Sequence, residues 1–240
     1  MANFDLTPIT VLVGHAGVGK TNVALGLALG SAKAGHPTTL VDLDVVNPYF
    51  RASDYPSLLR EAGIRLIAPV LARTTLDTPS LTGELDAAIG EVVSDPSRRL
   101  VLDVGGDDDG ATTIGRWSRM LHDAGARVLY AVSAYRALTQ TPEEAAAMLP
   151  QIEEHAHLRA DAILNTSNLG DETTAEHVAH GRVFAREVAR LCGLPLAATV
   201  VPEVAVAKEG VRAAGPSGGM GPSSDEPLLV MPRYVKRPWE

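Results

Sequence analysis

The residues with the clearest chemical potential form one short glycine-rich run. Eight consecutive residues match the pattern GxxxxGK[ST] over its full length: Gly14, His15, Ala16, Gly17, Val18, Gly19, Lys20 and Thr21. Glycines let the backbone curl so that successive N–H groups surround a phosphate, and the start of a following helix adds the positive end of its dipole. We expect Lys20 to reach the β and γ phosphates of a nucleotide and the Thr21 hydroxyl to coordinate Mg²⁺. The run therefore predicts a loop that binds a nucleoside triphosphate.

A pair of aspartates, Asp42 and Asp44, closes the run TTLVDLD. Residues two apart in a strand point to the same side, so both carboxylates can face one site. Carboxylates beside a triphosphate are unfavourable unless Mg²⁺ lies between them or a water has to be held for attack. The pair indicates the metal side of a phosphate site; the alternative is a solvated turn after the strand.

A third acidic segment follows the run RLVL and begins with Asp103. A carboxylate at the end of such a strand is typical of a residue that holds Mg²⁺ through water. Gly105 and Gly106 give the following loop the freedom to respond to a γ phosphate, as switch loops do. The next three residues, 107–109, are also aspartates. They would repel one another near phosphates, so we expect them to face solvent or a basic partner.

Strands and helices that alternate along the chain must position these residues. Apolar and β-branched runs predict strands that are buried on both faces; they span 9–13, 38–44, 65–68, 99–103, 127–132, 160–165 and 196–201. Helical patterns lie between them, at 19–34, 81–92, 141–149 and 178–192. The third of these helices opens with a capping box and a proline at its first position, Thr141-Pro142-Glu143-Glu144. The alternation predicts an α/β fold: a single mostly parallel twisted sheet with helices on both faces.

The end of the chain differs in composition from the rest. We expect residues 1–212 to form one nucleotide-binding domain, 213–227 a Gly/Pro/Ser-rich loop, and 228–240 a C-terminal edge strand or docking tail. The last segment contains Arg233, Lys236, Arg237 and Trp239. These residues form either a docking tail or a packed end.

Composition excludes several classes of protein. The 240 residues carry a net charge of −8, with 45% apolar and 21% charged residues, so a disordered chain is excluded and a buried core is expected. There is no Lys/Arg block that predicts nucleic-acid binding. The single cysteine, Cys192, allows no intrachain disulfide and no cysteine cage for a metal. Without a membrane span or a secretory signal pattern, we expect a cytoplasmic protein.

Taken together, the motifs resemble those of the CobQ/CobB/MinD/ParA group of P-loop ATPases, which belongs to the SIMIBI class and is related to the nitrogenase iron protein and ArsA. The resemblance covers about residues 8–210, although only the motifs are specific. It implies that Asp44 is the switch I aspartate that orients the attacking water. It also implies that Asp42 supports the magnesium site and that Asp103 is the switch II carboxylate.

The resemblance also places the base of the nucleotide. Asn165, which ends the run ADAILN, matches an asparagine that hydrogen-bonds adenine, and Val201-Pro202-Glu203 matches the loop beside the base. The guanine signature NKxD is absent, since the chain reads Asn165-Thr166-Ser167-Asn168. The expected cofactors are therefore ATP and Mg²⁺, with ATP preferred over GTP.

One position departs from the MinD and ParA pattern. Those proteins carry a signature lysine early in the loop that reaches the phosphates of a dimer partner, whereas this chain has His15 followed by Ala16. Histidine is shorter and often neutral at pH 7, so it cannot supply the same charge. We expect Arg51 to provide a compensating cation, in cis or across a homodimer, with Arg116 and Arg119 as the alternatives.

The expected function is that of a Mg²⁺-dependent ATP-binding protein that hydrolyses ATP slowly. It would act as a nucleotide switch toward an unidentified protein client, of the partitioning, positioning or cofactor-assembly type, with nucleotide-dependent homodimerisation. One alternative is a small-molecule kinase or ATP-dependent ligase, like dethiobiotin synthetase or the cobyrinic acid amidases. Another is a nonhydrolysing nucleotide-sensing subunit.

Two histidine pairs suggest metal binding less strongly. His155 and His157 would point about 200° apart on a helix and could share an ion only in an extended segment. His177 and His180 can meet on one helix face. We expect both pairs to be ordinary surface residues.

Overall fold

The computed structural model describes residues 6–44, 51–68, 79–106, 108–209 and 226–235, without the side chains of residues 79–82, 108, 109, 208 and 209. Its centre is one sheet of eight parallel strands. The strands are β1 (Ile9–Val13), β2 (Thr38–Leu43), β3 (Arg65–Ile67), β4 (Arg99–Val104), β5 (Arg127–Val132), β6 (Ala162–Asn165), β7 (Leu196–Pro202) and β8 (Leu228–Met231).

The strand order explains where a ligand can bind. It is β3-β2-β4-β1-β5-β6-β7-β8, so β1 lies between β4 and β5 near the middle of the sheet. After β1 the chain moves to one side of the sheet, and with β5 it moves to the other. Ligands of open parallel sheets bind at the carboxyl ends of the strands, at such a switch point. The order confirms the predicted α/β fold with a single parallel sheet and places the glycine-rich run at its switch point.

Helices cover both faces of the sheet, as the sequence predicts. In the described part of the chain they are α1 (Lys20–Lys33), α2 (Pro56–Glu61), α3 (Pro79–Ser94), α4 (Asp108–Gly115), α5 (Ser118–Asp123), α6 (Pro142–Ala156), α7 (Ala175–Cys192) and α8 (Glu203–Glu209). Side chains of β1 alternate between the faces: Ile9, Val11 and Val13 join the cluster formed with α3 to α7, while Leu12 joins the cluster formed with α1 and α2. Every strand residue of β1 is buried, as parallel sheets require.

The C-terminal strand closes one edge of the sheet. β8 pairs in parallel with β7, which confirms an edge strand at Leu228–Met231. The helix α1 approaches this strand closely, because a β-carbon at Gly26 would lie 2.5 Å from Sδ of Met231. The predicted loop 213–227, apart from residues 226 and 227, and the positions of Lys236, Arg237 and Trp239 lie outside the described residues.

One helix is longer than the sequence predicts. The capping box at Thr141 is present, since its hydroxyl accepts from the Glu144 N–H and the Glu144 carboxylate accepts from the Thr141 N–H. However, α6 continues to Ala156, so the expected end at residue 149 is wrong. Pro150 removes one backbone donor, but the helix goes on because Leu149 and Ala156 are both buried in the core.

The longer helix also shows whether His155 and His157 lie in an extended segment, where they could share an ion. His155 lies in the last turn of α6, and His157 caps its end in a left-handed conformation with φ 51°. The two residues therefore do not form an extended pair. Within the described residues there is no group of three or more His, Cys, Asp or Glu side chains that could hold a metal ion, and no helix is long and apolar enough to cross a membrane.

Candidate functional site

The glycine-rich run forms the loop between β1 and α1. Its backbone demands glycine where it turns: Gly14 has φ 147°, and a β-carbon there would lie 2.5 Å from the carbonyl oxygen of Ala131. Gly19, with φ 96°, is the cap that starts α1. The helix therefore begins at Lys20, and its first N–H groups open toward the loop. This is the strand, loop and helix arrangement that a phosphate site needs.

The ammonium group of Lys20 lies inside this loop. The residue is only 6% exposed, and its Nζ donates to the carbonyl oxygens of Gly14, at 2.7 Å, and His15, at 3.1 Å. Carbonyl oxygens compensate a buried charge only in part. Phosphate oxygens that entered the loop would be stronger acceptors for the same ammonium group.

Two carboxylates lie side by side next to the loop. Because β2 pairs with β4 in register, Asp42 stands directly beside Asp103. Both residues are buried, with 0% and 1% of their surface exposed. Asp42 is engaged by the backbone: its Oδ1 accepts from the N–H of Asp44 at 3.1 Å and its Oδ2 from the N–H of Ser53 at 2.9 Å. Burial nevertheless raises its pKa, against those hydrogen bonds.

Asp103 is in a different situation. Both of its carboxylate oxygens are buried without a hydrogen-bond partner among the described residues. Burial raises its pKa to about 7, and the neighbouring Asp42 adds to the shift, while the Lys20 ammonium and the nearby Thr21 hydroxyl oppose it. A buried carboxylate without a partner is expensive unless a cation joins it. The position therefore fits a residue that faces a bound cation.

The donors around Asp103 suit Mg²⁺ better than a metal held by protein alone. Mg²⁺ prefers oxygen ligands and is often bound by one or two carboxylates together with phosphate oxygens and water. Asp103 and the Thr21 hydroxyl provide such oxygens at the loop. A set of protein ligands large enough to hold an ion without a nucleotide is not found in the described residues. The residues present thus fit a magnesium ion that arrives with phosphates.

A cavity of about 510 Å³ opens from the loop toward the carboxyl ends of β5, β6 and β7. This volume lies within the usual range of small-molecule sites. The lining begins at the glycine-rich loop 14–19, called the phosphate loop for its predicted role, and reaches residues 231–235 of the C-terminal segment. It includes Lys20, Thr21, Asp44, Gly106, Tyr135, Arg136, Thr166, Asn168, Pro202 and Arg233. The cavity therefore brings the predicted phosphate residues Lys20, Thr21 and Asp44 together at one end.

The predicted base residues are only partly at this cavity. Pro202 lines it, whereas Glu203 is exposed and begins α8. Asn165 is fully buried: its amide Nδ2 donates to Thr199 Oγ1 at 3.2 Å, and its Oδ1 accepts from the N–H of Ser167 at 3.0 Å. It is not among the residues that line the cavity.

Of the two asparagines in the segment 165–168, Asn168 is the one that lines the cavity. Its Nδ2 donates to the carbonyl oxygen of Thr166 at 2.9 Å, and its Oδ1 accepts from the N–H of Gly170 at 3.0 Å. Both sides of its amide therefore shape the loop that follows β6. The buried amide of Asn165 supports the same loop from below through Ser167.

The arginines expected to supply a cation lie elsewhere. Arg51 is 5% exposed and is not among the residues lining the cavity; its backbone N–H donates to the carboxylate of Asp54. Arg116 lies over the ring of Trp117, with Cζ 5.6 Å from the centroid. Arg119 is exposed on α5. In this structure, none of the three lines the cavity.

Sequence reasoning missed Arg136, which does line it. The sequence holds part of the signal, because Arg136 comes four residues after the end of β5 and so lies at the carboxyl edge of the sheet. The other part, the pairing of β5 with β1, comes from the strand order.

His15 faces a smaller cavity on the other side of the loop. That cavity measures about 270 Å³ and is lined by apolar side chains, including Met148 and Ile152. It shares Ala16 and Gly106 with the larger cavity. Burial, together with the charge of Lys20, lowers the pKa of His15, so the imidazole is neutral at pH 7.

The C-terminal segment forms a wall of the larger cavity. Asn22 follows Thr21 in α1 and binds this segment three times: its Nδ2 donates to Pro232 O at 3.2 Å, and its Oδ1 accepts from the N–H groups of Tyr234 at 2.7 Å and Val235 at 3.2 Å. Arg233 forms an ion pair of 3.1 Å with Asp171. Residues 232–235 are therefore packed against the site, and a docking role of this end of the chain stays a prediction.

Comparison with known proteins places this geometry in a known fold. No protein-family model and no curated protein sequence matches the chain. FtsY from Mycoplasma mycoides is 14% identical with a TM-score of 0.55, over 83% of this chain and 62% of its own. FtsY from Thermotoga maritima is 15% identical with a TM-score of 0.55, over 82% of this chain and 63% of its own.

A third structure, signal recognition particle 54 kDa protein from Aeropyrum pernix in complex with GDP, is 17% identical with a TM-score of 0.52, over 83% of this chain and 42% of its own. The chain thus spans between 42% and 63% of the length of these three proteins. At such identities the likeness shows the fold alone. That fold, one parallel sheet with helices on both faces, is the fold that the sequence predicts.

The unpartnered carboxylate of Asp103 generates a prediction on stability. Its pKa in the folded chain, about 7, exceeds the value of about 4 expected when unfolded, so the ligand-free protein loses stability through this group as the pH rises between those values. Asp103→Asn removes the charge and should raise the free energy of unfolding at pH 8 by on the order of 1–2 kcal/mol. Urea unfolding without metal or nucleotide measures this.

The gain should shrink toward pH 5, where Asp103 is protonated in the folded protein. Asp123→Asn, at an exposed position on α5, is the control and should change little at either pH. A ligand-free Asp103→Asn protein that is less stable than wild type at pH 8 would contradict this account of the buried carboxylate.

The contacts of Asn22 generate a second prediction. Asn22→Ala should lower the free energy of unfolding by about 1–3 kcal/mol, because three hydrogen bonds are lost. The amides of Tyr234 and Val235 should exchange with deuterium faster, since they lose their acceptor. Asn22→Asp keeps the accepting oxygens and should protect both amides better than alanine does. Equal exchange in wild type and Asn22→Ala would show that the segment is held by other contacts.

Proposed function

We propose that this protein binds and slowly hydrolyses a nucleoside triphosphate with Mg²⁺, preferring ATP, and uses the bound nucleotide as a switch toward a protein client. The observation that carries the proposal is the pairing of a phosphate loop, with the buried ammonium of Lys20, and the unpartnered carboxylate of Asp103 at one end of a nucleotide-sized cavity. A triphosphate with its magnesium ion would satisfy both groups at once.

Binding follows from the groups in the loop. The backbone N–H groups at the start of α1 would donate to phosphate oxygens, and the Lys20 ammonium would exchange the carbonyl oxygens of Gly14 and His15 for phosphate oxygens. Thr21 and Asp103 are the residues that would hold Mg²⁺, which neutralises charge on the phosphates when bound. Asp42 keeps the backbone after β2 in place through its bonds to the N–H groups of Asp44 and Ser53.

Hydrolysis requires a water at the γ phosphate. Asp44 lines the cavity beside the loop, where its carboxylate would orient that water for attack. The water oxygen bonds to the γ phosphorus, the bond to the β-phosphate oxygen breaks, and the proton of the water leaves with inorganic phosphate. Lys20 stabilises the charge that develops on the transferred group. Few groups take part, which agrees with a slow reaction.

A switch needs a segment that responds to the γ phosphate. The loop at Gly105 and Gly106 touches the phosphate loop: a β-carbon at Gly106 would lie 2.5 Å from the backbone N and Cα of Ala16 and 2.8 Å from Nζ of Lys20. Movement of Lys20 onto a phosphate therefore acts directly on this loop. The loop leads into α4, which packs against α6 on the surface beside the smaller cavity.

The preference for ATP rests on the loop after β6. In the guanine signature an aspartate accepts two hydrogen bonds from the base, and this chain has Asn168 at that place of the motif. The Asn168 amide is engaged with Thr166 and Gly170. The structure from Aeropyrum pernix has the same fold and is a complex with GDP, which favours the opposite preference. Measured affinities for ATP and GTP decide between them.

Several finer assignments remain part of this proposal. Membership of the CobQ/CobB/MinD/ParA group rests on the motifs, with His15 in place of the signature lysine. The division into domain 1–212, loop 213–227 and C-terminal segment 228–240, the cytoplasmic location and nucleotide-dependent homodimerisation also rest on the sequence. Asn165, Pro202 and Glu203 are proposed to serve the base, Asn165 through the loop that it supports.

A second candidate function is a small-molecule kinase or ATP-dependent ligase. It is favoured by the smaller cavity, which meets the larger one at Ala16 and Gly106, beside the phosphate loop. An acceptor bound there would lie next to the transferred phosphate. Nucleotide hydrolysis that requires Asp44 and needs no added acceptor favours the switch. Nucleotide turnover that begins only when an acceptor is added favours the kinase or ligase.

The phosphate loop gives the direct test of the proposal. Lys20→Ala should weaken ATP binding about a hundredfold or more, because hydrogen bonds to charged groups contribute about 1.5–3 kcal/mol each. Lys33→Ala, at the exposed end of the same helix, is the matched control and should bind like wild type. Isothermal titration with ATP, ADP and GTP in the presence of Mg²⁺ measures both variants. Unchanged ATP affinity in Lys20→Ala would remove the basis of the proposed function.

The switch loop gives a further prediction. Gly106→Ala places a methyl group within 2.8 Å of Nζ of Lys20 and closer still to Ala16, so the loop must move away from the phosphate loop. We expect kcat for ATP hydrolysis to fall at least tenfold, by order of magnitude, while ADP affinity changes much less. Gly105→Ala is the neighbouring comparison. Phosphate release at saturating ATP, together with ADP titration, separates the two effects; normal kcat in Gly106→Ala would exclude this loop from the reaction.

A further inference from the structure

Arg136 is held against the phosphate loop by the fold. β5 pairs directly with β1, so the segment after β5 and the loop after β1 leave the sheet as neighbours. A β-carbon built on Gly17 would lie 3.8 Å from both Cζ and Nε of Arg136. The guanidinium group therefore packs on the backbone of the phosphate loop near its middle, and it lines the larger cavity together with Lys20.

The segment that carries Arg136 is anchored on both sides. The backbone N–H of Ala134 donates to Ser167 Oγ at 3.0 Å, and the Tyr135 hydroxyl donates to the carbonyl oxygen of His177 at 3.0 Å. The carbonyl oxygen of Arg136 itself accepts from the N–H of Thr139 at 3.1 Å. A side chain on an anchored backbone loses less freedom when it binds a ligand.

The guanidinium group has five donors, but no hydrogen bond and no ion pair to any described residue engages them. Other arginines of the chain are paired with carboxylates: Arg182 and Arg186 bind Glu226, and Arg190 binds Glu187. Arg136 as a whole is an exposed residue at the rim of the larger cavity. Partial burial of its guanidinium group nevertheless lowers the pKa of that group. A partly desolvated cation without a counter-ion, beside a loop built for phosphates, favours an anionic ligand.

We propose that Arg136 is a phosphate-binding residue, whose guanidinium donates to phosphate oxygens of the bound nucleotide from the β5 side of the loop, opposite the ammonium of Lys20. This proposal rests on the proposed function, because it uses the same nucleotide. It supplies in cis the cation that the chain lacks at His15, and it replaces Arg51 in that role. Guanidinium suits the task because its planar donors can bind two phosphate oxygens at once.

The position along the cavity favours the phosphates over the base. Arg136 packs at Gly17, in the middle of the phosphate loop, whereas the base end of the cavity is formed by Asn168, Pro202 and the C-terminal segment. Loss of the Arg136 side chain should therefore lower binding affinity more for ligands that carry more phosphates. Its loss should not unfold the protein, because no described residue depends on the guanidinium for a hydrogen bond or an ion pair.

The experiment compares ligands that differ in the number of phosphates or in the presence of the adenosine. ATP, ADP, adenosine and inorganic tripolyphosphate are titrated with Mg²⁺ into wild type, Arg136→Ala, Arg136→Lys and Lys20→Ala. Arg60→Ala is the control, at an exposed arginine in the last turn of α2. Thermal unfolding of each variant checks the fold. Arg136→Ala should bind ATP and tripolyphosphate about tenfold more weakly or worse, with adenosine unchanged.

Arg136→Lys should recover part of the lost affinity, because the charge is kept and the planar donors are not. Equal losses for adenosine and ADP would overturn the proposal in favour of a contact with the base, and unchanged affinities in Arg136→Ala would overturn it outright. Failure of the proposed function looks different: wild type would then bind neither ATP nor tripolyphosphate, or Lys20→Ala would bind both normally. Loss in Lys20→Ala with no loss in Arg136→Ala rejects the role of Arg136 alone.

Discussion

The pairing of β2 with β4 places two buried carboxylates side by side, and most of the site follows from this constraint. Asp42 and Asp103 occupy matching positions of parallel strands, so neither can move away from the other without shifting a strand. Backbone N–H groups satisfy Asp42, but the oxygens of Asp103 have no such partner in the described residues. The nearby Lys20 offsets the repulsion only in part. The fold thus holds two neighbouring buried carboxylates that a cation at the sheet edge would stabilise.

Three consecutive residues of α1 connect the site around these carboxylates to distant parts of the chain. Lys20 fills the phosphate loop, Thr21 faces the cavity, and Asn22 holds a segment more than 200 residues further along the sequence. Because these residues share one helix turn, the start of α1 and the wall formed by the C-terminal segment are joined through Asn22. This explains why residues 232–235 belong to the site although no motif marks them.

The sequence predicted what depends on local pattern. The phosphate loop follows from glycines at fixed spacing, and the parallel sheet follows from short apolar strands separated by helices. Asn165 and Asn168 could not be told apart in the same way, since one ends β6, the other lies three residues later, and only the turn between them decides which amide reaches the cavity. Arg51 was expected to supply the cation, with Arg116 and Arg119 as alternatives, and no motif marks Arg136. The adjacency of β5 to β1 is a property of the strand order, which no local pattern contains.

The position of one ammonium group can link the nucleotide to the surface of the protein. Lys20 Nζ donates to the carbonyl oxygens of Gly14 and His15, and it lies next to Gly106. Gly106 and Ala16 belong to both cavities, so a shift of this ammonium onto a phosphate changes the boundary between them. The smaller cavity is lined by α6, whose outer side is exposed, and α6 packs on α4 and α7. Whether that cavity receives a client side chain or an acceptor molecule, its boundary at Gly106 depends on the lysine proposed to bind the phosphate, because Nζ of Lys20 is among the atoms nearest to a β-carbon built there.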